Sequence, residues 1–195
     1  FFNKKAYYPI QIQSNISLIF IHINKNGGTS MSRAIGFKRK IHRSASKIKK
    51  IINDKEWDNS IKFTIIRNPF SRVVSQFNFH KKTGQLDKNI SFHDWVVKTY
   101  KNRKIKYKFL RNLYIYKNQI EWISIENKII VDDILRFESL DNDLKLFNEK
   151  YSLSLKLDHL NSTKKVDYKK YYNLTTKKII SHYFKDDLEY FKYEF

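Results

Sequence analysis

Residues 16–23 (ISLIFIHI) form a nearly continuous apolar run, the pattern of a strand buried on both faces of a parallel sheet. Asn26, Gly27 and Gly28 close the run, and Thr29 then opens a helix through Ile35. The same signals recur at residues 61–66 (IKFTII), a second strand with Arg67 at its carboxyl end. Asn68 and Pro69 supply an N-cap and an N1 proline, so a helix runs from Pro69 towards Phe79. Between the two strands, residues 46–53 (SKIKKIIN) carry the apolar spacing of a short helix. The order strand, helix, helix, strand, helix predicts an α/β fold with a central parallel sheet flanked by helices.

Further along, residues 91–100 (SFHDWVVKTY) read as an amphipathic helix, residues 128–135 (KIIVDDIL) contain a short strand, and residues 140–151 (LDNDLKLFNEKY) are helical. At the tail, residues 175–190 (TTKKIISHYFKDDLEY) place Ile179, Tyr183 and Phe184 on one face of a final docking helix, capped by a threonine near its start. There is no internal repeat or low-complexity linker, and four glycines and two prolines are too few to mark a boundary. A single domain, residues 1–195, is therefore expected.

Composition adds a sign and several exclusions. With 39 Lys plus Arg against 19 Asp plus Glu, the formal net charge is +20, a field that attracts anions without naming one. Much of it is also what a lysine-rich solvated surface carries. No cysteine is present, which removes disulfides, thiolate zinc sites and cysteine nucleophiles, and no close His/Asp/Glu cluster takes their place, so no metal is expected. The longest apolar run is far shorter than the ~20 residues of a membrane span. The opening FFNKKAYYPIQIQSN lacks the basic, apolar and small-residue order of a signal peptide, and a cytoplasmic location is the expectation.

The candidate chemistry starts at residues 20–30, FIHINKNGGTS. A glycine pair between a strand and a helix lets backbone amides converge on an anion, and the helix start adds its dipole. Lys25 and the Thr29 and Ser30 hydroxyls supply what a phosphate would need besides. This is not the Walker pattern, because the lysine precedes the glycines instead of following them. A plain strand-to-helix turn, with glycine for geometry and threonine for capping, accounts for the same residues. A second candidate anion site lies in FTIIRNPFSRVVSQF, where Arg67 at the strand end and Ser75 two turns into the helix are eight residues apart. Two such sites suggest a nucleotide with phosphates on two ribose positions.

The pair resembles the 3′-phosphoadenosine 5′-phosphosulfate (PAPS) dependent sulfotransferases, in particular their carbohydrate (heparan/chondroitin-type) branch. The family's 5′ loop usually reads like HIPKTGGTS and its 3′ segment like VRNPYDRLVSAY. Gly27, Gly28, Thr29, Ser30, Arg67, Asn68, Pro69, Arg72 and Ser75 match, while Asn24 stands for the usual proline and Asn26 for the usual threonine. Later, IVDDILRFESLDNDL is similar to a family stretch ending in Arg-Phe-Glu-x-Leu, and DHLNSTKKVDYKKYYN to a late His-x-Asn-x-Ser loop before a tyrosine-rich segment. The resemblance spans roughly residues 16–195 and implies a P-loop-NTPase-like α/β fold, a nucleotide held by Lys25, Asn26, Gly27, Gly28, Thr29, Ser30, Arg67 and Ser75, and no metal. It also gives Ser162, Lys164 and Lys165 of the late loop a role at the 3′-phosphate side.

The implied reaction is transfer of a sulfuryl group from PAPS to an acceptor hydroxyl, that of a carbohydrate by the branch it resembles, with the positive field permitting an anionic one. Lys25 is then the cation at the leaving oxygen. His42, in KIHRSASKIKK, matches a histidine of an HxTA-like family stretch that deprotonates the acceptor, and an ordinary imidazole titrates near ~6.5. A surface histidine in a basic loop is the competing account of His42. Among the other histidines, His22 is expected to pack inside, His80 and His93 to serve as surface or packing residues on helices, His182 to support the last helix, and His159 to order the late loop. Glu138 is an alternative base, though a structural role suits it better, and Trp57, Trp95 and Trp122 read as core. A basic nucleic-acid-binding module would explain the charge but not the two spaced loops. A P-loop-like kinase is disfavoured by the missing Walker lysine and magnesium carboxylate.

Overall fold

The computed structural model describes residues 8–37, 42–102, 116–157 and 167–195. Its first half contains β1 (Ile10–Gln13), β2 (Ile16–Ile21), α1 (Gly28–Ala34), α2 (Ala45–Lys49), α3 (Asp54–Asp58), β3 (Ile61–Ile66) and α4 (Pro69–Lys82). Then follow α5 (Phe92–Val96), α6 (Gln119–Ile123), β4 (Ser124–Ile125), β5 (Lys128–Ile129), β6 (Asp133–Arg136), α7 (Leu140–Lys150), α8 (Leu174–Tyr183) and α9 (Lys185–Phe191). The protein is mixed α/β, with a central, mostly parallel sheet flanked by helices. By contacts the chain divides into two compact units, Phe1–Arg67 with Gln119–Ser162, and Asn68–Asn118 with Thr163–Phe195.

The first unit holds the sheet, in the order β1-β2-β3-β6. β2 and β3 run parallel with Phe20 opposite Phe63, and β3 and β6 run parallel with Ile65 opposite Leu135. Leu18, Ile19, Phe20 and Ile21 are all buried, as a strand covered on both faces requires. Leu18 and Phe20 join Phe63, Ile65 and Leu135 in a core closed by Met31 and Ile35 from the α1 side and by Leu144 and Phe147 of α7. β1 is an edge strand outside the sequence expectation. It pairs antiparallel with β2 through a two-residue turn, Ser14 and Asn15, both at positive φ, the backbone that a tight hairpin demands. The helix expected over residues 46–53 ends at Lys49. Asn53 instead starts α3, where it forms a reciprocal capping box with Glu56.

The second unit is helical around an aromatic core of Phe70, Phe77, Phe92, Trp95, Tyr100, Tyr116 and Phe184. Asn68 caps α4 by accepting from Phe70 N at 2.9 Å, with Pro69 in the first turn, as the Asn-Pro pair predicts. The expected helix over residues 91–100 begins as α5 and widens into a π-helical turn over Val97–Lys101. The tail is two helices rather than one, because the chain breaks at Phe184 between α8 and α9. Its cap is Asn173, which forms a capping box with Thr176, not a threonine. Ile180 and Phe184 are the buried pair, with Ile179 and Tyr183 partly buried beside them. His80 is buried between Gln76 and Gln85, a packing role as expected.

Candidate functional site

Because β2 and β3 are parallel neighbours, the chain leaves both at the same edge of the sheet, the edge where open α/β sheets bind ligands. Residues 22–27 leave β2 and enter α1, while Arg67 follows β3 directly. Within the first unit the fold therefore brings Lys25, Asn26, Gly27, Gly28, Thr29, Ser30 and Arg67 together. The Arg67 guanidinium donates from Nη1 to the Lys25 carbonyl at 3.0 Å and stacks 4.2 Å above the Phe137 ring. Lys25 lies at φ +69°, a left-handed conformation costing a lysine about 1–2 kcal/mol, and the Arg67 bond fastens it there. Strain of this kind concentrates at functional sites.

Gly27 and Gly28 each have a packing reason to lack a side chain. Gly27 has φ +77°, and a Cβ there would lie 3.0 Å from Phe137 and 3.5 Å from Leu140. A Cβ on Gly28 would lie 2.2 Å from Cδ2 of His22. The imidazole of His22 thus forms the floor of the loop, buried against Phe20 and within 3.3 Å of the Ser32 hydroxyl through Nδ1. Phe137 and Leu140 belong to the Arg-Phe-Glu-x-Leu stretch, so that stretch and the glycine loop meet in space. Glu138 of that stretch is exposed.

The side chain of Asn26 turns inward. It is buried, and Nδ2 donates to the Ile65 carbonyl and to Gln119 Oε1, each at 2.7 Å. Its amide protons are spent on the protein, so only the backbone of Asn26 is left for an anion. Lys25, Thr29 and Ser30 are partly exposed. Gly28 and Thr29, in the first turn of α1, have amides without intrahelical acceptors by the geometry of any helix. The donor set is thus two cations, two hydroxyls and backbone N–H groups, a chemistry that suits phosphate oxygens.

His42 stands above this floor, its ring 4.1 Å from that of His22 and its Nδ1 3.1 Å from the His22 carbonyl. A carbonyl only accepts, so Nδ1 carries a proton, and in the neutral ring the lone pair lies on Nε2. His42 is exposed, and this tautomer is the one a general base at Nε2 requires.

Ser75 lies half-buried on α4, in the second unit. Arg72, another match to the family segment, is buried there and donates to the Lys117 carbonyl at 3.2 Å, a structural role. Ser162, Lys164 and Lys165, with His159, lie outside the described residues. Trp57, Trp95 and Trp122 are buried in the core, as their apolar contexts predict. Among the described residues no group of three or more His, Asp or Glu is placed to hold a metal, and no helix is long and apolar enough to cross a membrane. Gln119 carries no sequence signal, yet it touches both loops. No protein-family model matches the chain, and no curated protein matches it at a significant level.

Proposed function

We propose that this protein is a sulfotransferase of P-loop-like fold that moves the sulfuryl group of PAPS to a carbohydrate hydroxyl. The observation that carries the reading is the meeting of the two motif-bearing segments at the carboxyl ends of adjacent parallel strands, tied by the Arg67 bond to Lys25 O. The packing of Phe137 and Leu140 against Gly27 supports it. Bound PAPS would supply an electrophilic sulfur, the S–O bond that breaks and a phosphate leaving group. The first-turn amides with Thr29 and Ser30 hold the 5′ side, and Lys25 offsets charge at the leaving oxygen. Arg67 serves the 3′ phosphate. His42 takes the acceptor's hydroxyl proton on Nε2 as the new O–S bond forms. The acceptor is a hydroxyl of a carbohydrate, and the charge of +20 admits an anionic one.

The test is calorimetric titration with adenosine 3′,5′-bisphosphate at low salt. Wild type should bind, and Arg67→Ala should weaken binding by about ten- to a hundredfold, the worth of one hydrogen bond to a charged group. Absence of binding by wild type would refute the reading. The net charge would then favour a second one, binding of nucleic acid through its phosphates, recognised by a steep loss of affinity with added salt.

A further inference from the structure

We propose that Gln119 is a positioning residue that locks the Lys25–Gly28 loop and Arg67 into one rigid unit, so that the two halves of the site engage a single ligand together. The lock itself stands on geometry; its use in nucleotide binding rests on the function proposed above. The β3 ladder ends with Thr64 opposite Ile21 on one side and Ile66 opposite Arg136 on the other. The peptide groups of Arg67 lie beyond both, where a backbone N–H or C=O needs a new partner. Gln119 supplies it. Its Oε1 accepts from Arg67 N at 2.9 Å and its Nε2 donates to Arg67 O at 2.8 Å, as a residue of a neighbouring antiparallel strand would.

The same Oε1 also accepts from Asn26 Nδ2 at 2.7 Å, and Asn26 Nδ2 donates in addition to Ile65 O. Gln119 is fully buried and opens α6, so its amide is carried by an element separate from both loops. With the Arg67 bond to Lys25 O, the loop is fastened at three points, to Ile65 O, to Arg67 and to the Gln119 amide that holds Arg67 in turn. Two phosphates on one ribose gain from simultaneous engagement only if their receivers are held at a fixed spacing, because mobile receivers must be ordered on binding.

The experiment compares wild type, Gln119→Ala and Gln119→Glu. The glutamate keeps the size but faces Arg67 O with an acceptor instead of a donor. One arm measures amide hydrogen exchange at Arg67; the other measures affinities for adenosine 3′,5′-bisphosphate and for adenosine 5′-phosphate. Exchange at Arg67 should rise about tenfold or more in Gln119→Ala, the effect of losing one buried hydrogen bond, and stay near wild type in Gln119→Glu, which keeps an acceptor for Arg67 N, with β1 unchanged. The preference for the bisphosphate over the monophosphate should shrink about tenfold. A residue that merely stabilises the fold would lower both affinities alike and leave that preference intact, which would overturn the positioning role. Unchanged exchange at Arg67 in Gln119→Ala would overturn the lock whether or not any nucleotide binds. Failure of wild type to bind the bisphosphate would instead defeat the proposed function, and exchange alone would then decide the lock.

Discussion

Substitution of Gly28 by alanine tests the floor of the loop most directly. The added Cβ would sit 2.2 Å from Cδ2 and 2.3 Å from Nε2 of His22, where ordinary contact begins at 3.4 Å. The ring must therefore recede by about 1 Å, well inside the range that close-packed interiors resist. It has nowhere to go: His22 is buried, its Nδ1 meets the Ser32 hydroxyl, and its ring lies between those of Phe20 and His42. Overpacking of this kind costs about 1–3 kcal/mol, and loss of the Ser32 contact adds about 1 kcal/mol. We expect about 3 kcal/mol in all, or a fall of about 1.5 M in the urea midpoint for a slope of about 2 kcal/mol/M. Urea unfolding followed by tryptophan fluorescence reads it, since Trp57 and Trp122 are buried in the same unit. The control is a double-mutant cycle with His22→Ala, which empties the space the Cβ needs. On that background Gly28→Ala should cost under about 1 kcal/mol, giving a coupling of about 2 kcal/mol. An alanine that costs the same with and without the imidazole would refute the reasoning, as would one that costs nothing.

Two further outcomes concern the second unit. Arg72 is buried, which lowers its pKa, and the charge of buried Asp187 is the first influence opposing that shift; Arg72→Met should cost about 3–5 kcal/mol by taking a cation away from a buried carboxylate, and a loss under about 1 kcal/mol in urea unfolding would contradict this. Tyr172 donates its hydroxyl to Phe70 O at 3.0 Å, and burial first, then Tyr100 and Tyr168, raise its pKa well above the ordinary 10. The resulting stability is complete below pH 10 and is lost as pH rises from there towards the folded-state value, because the unfolded chain ionises first. Tyr172→Phe should cost about 1 kcal/mol at neutral pH and flatten the alkaline decline; an unaltered decline between pH 10 and 12 in a pH series of melts would rule Tyr172 out as its source.

What the sequence makes legible here is what local physics decides. The run at residues 16–23 and the IKFTII stretch announce themselves because both faces of each strand are buried, and Asn68 with Pro69 marks the start of α4 because capping involves only neighbours. β1 escapes the same reading: it is short, lies at an edge and leaves Ile12 exposed, so its alternation is faint, although the Ser14-Asn15 turn was there to be seen. The capping box of α3 is also written in the sequence as Asn53 and Glu56, but the apolar spacing of residues 46–53 carries one helix through Asn53 and masks it. The tail shows a different limit, since a break at Phe184 between α8 and α9 leaves the 3.6-residue pattern nearly intact.

By itself the chain determines two strand-to-helix units, their lysine, hydroxyl and arginine complement, and a strongly positive field, all properties of residues within a few positions of one another. Only the tertiary structure decides that the two loops share one edge of the sheet, that His22 rather than open space lies under Gly28, and that Asn26 faces inward to Gln119 instead of outward to an anion. The reason is separation along the chain. Asn26 and Gln119 are 93 residues apart, and no periodicity or motif relates them; their bond exists because parallel pairing of β2 with β3 strands the peptide groups of Arg67 where a buried amide must complete them.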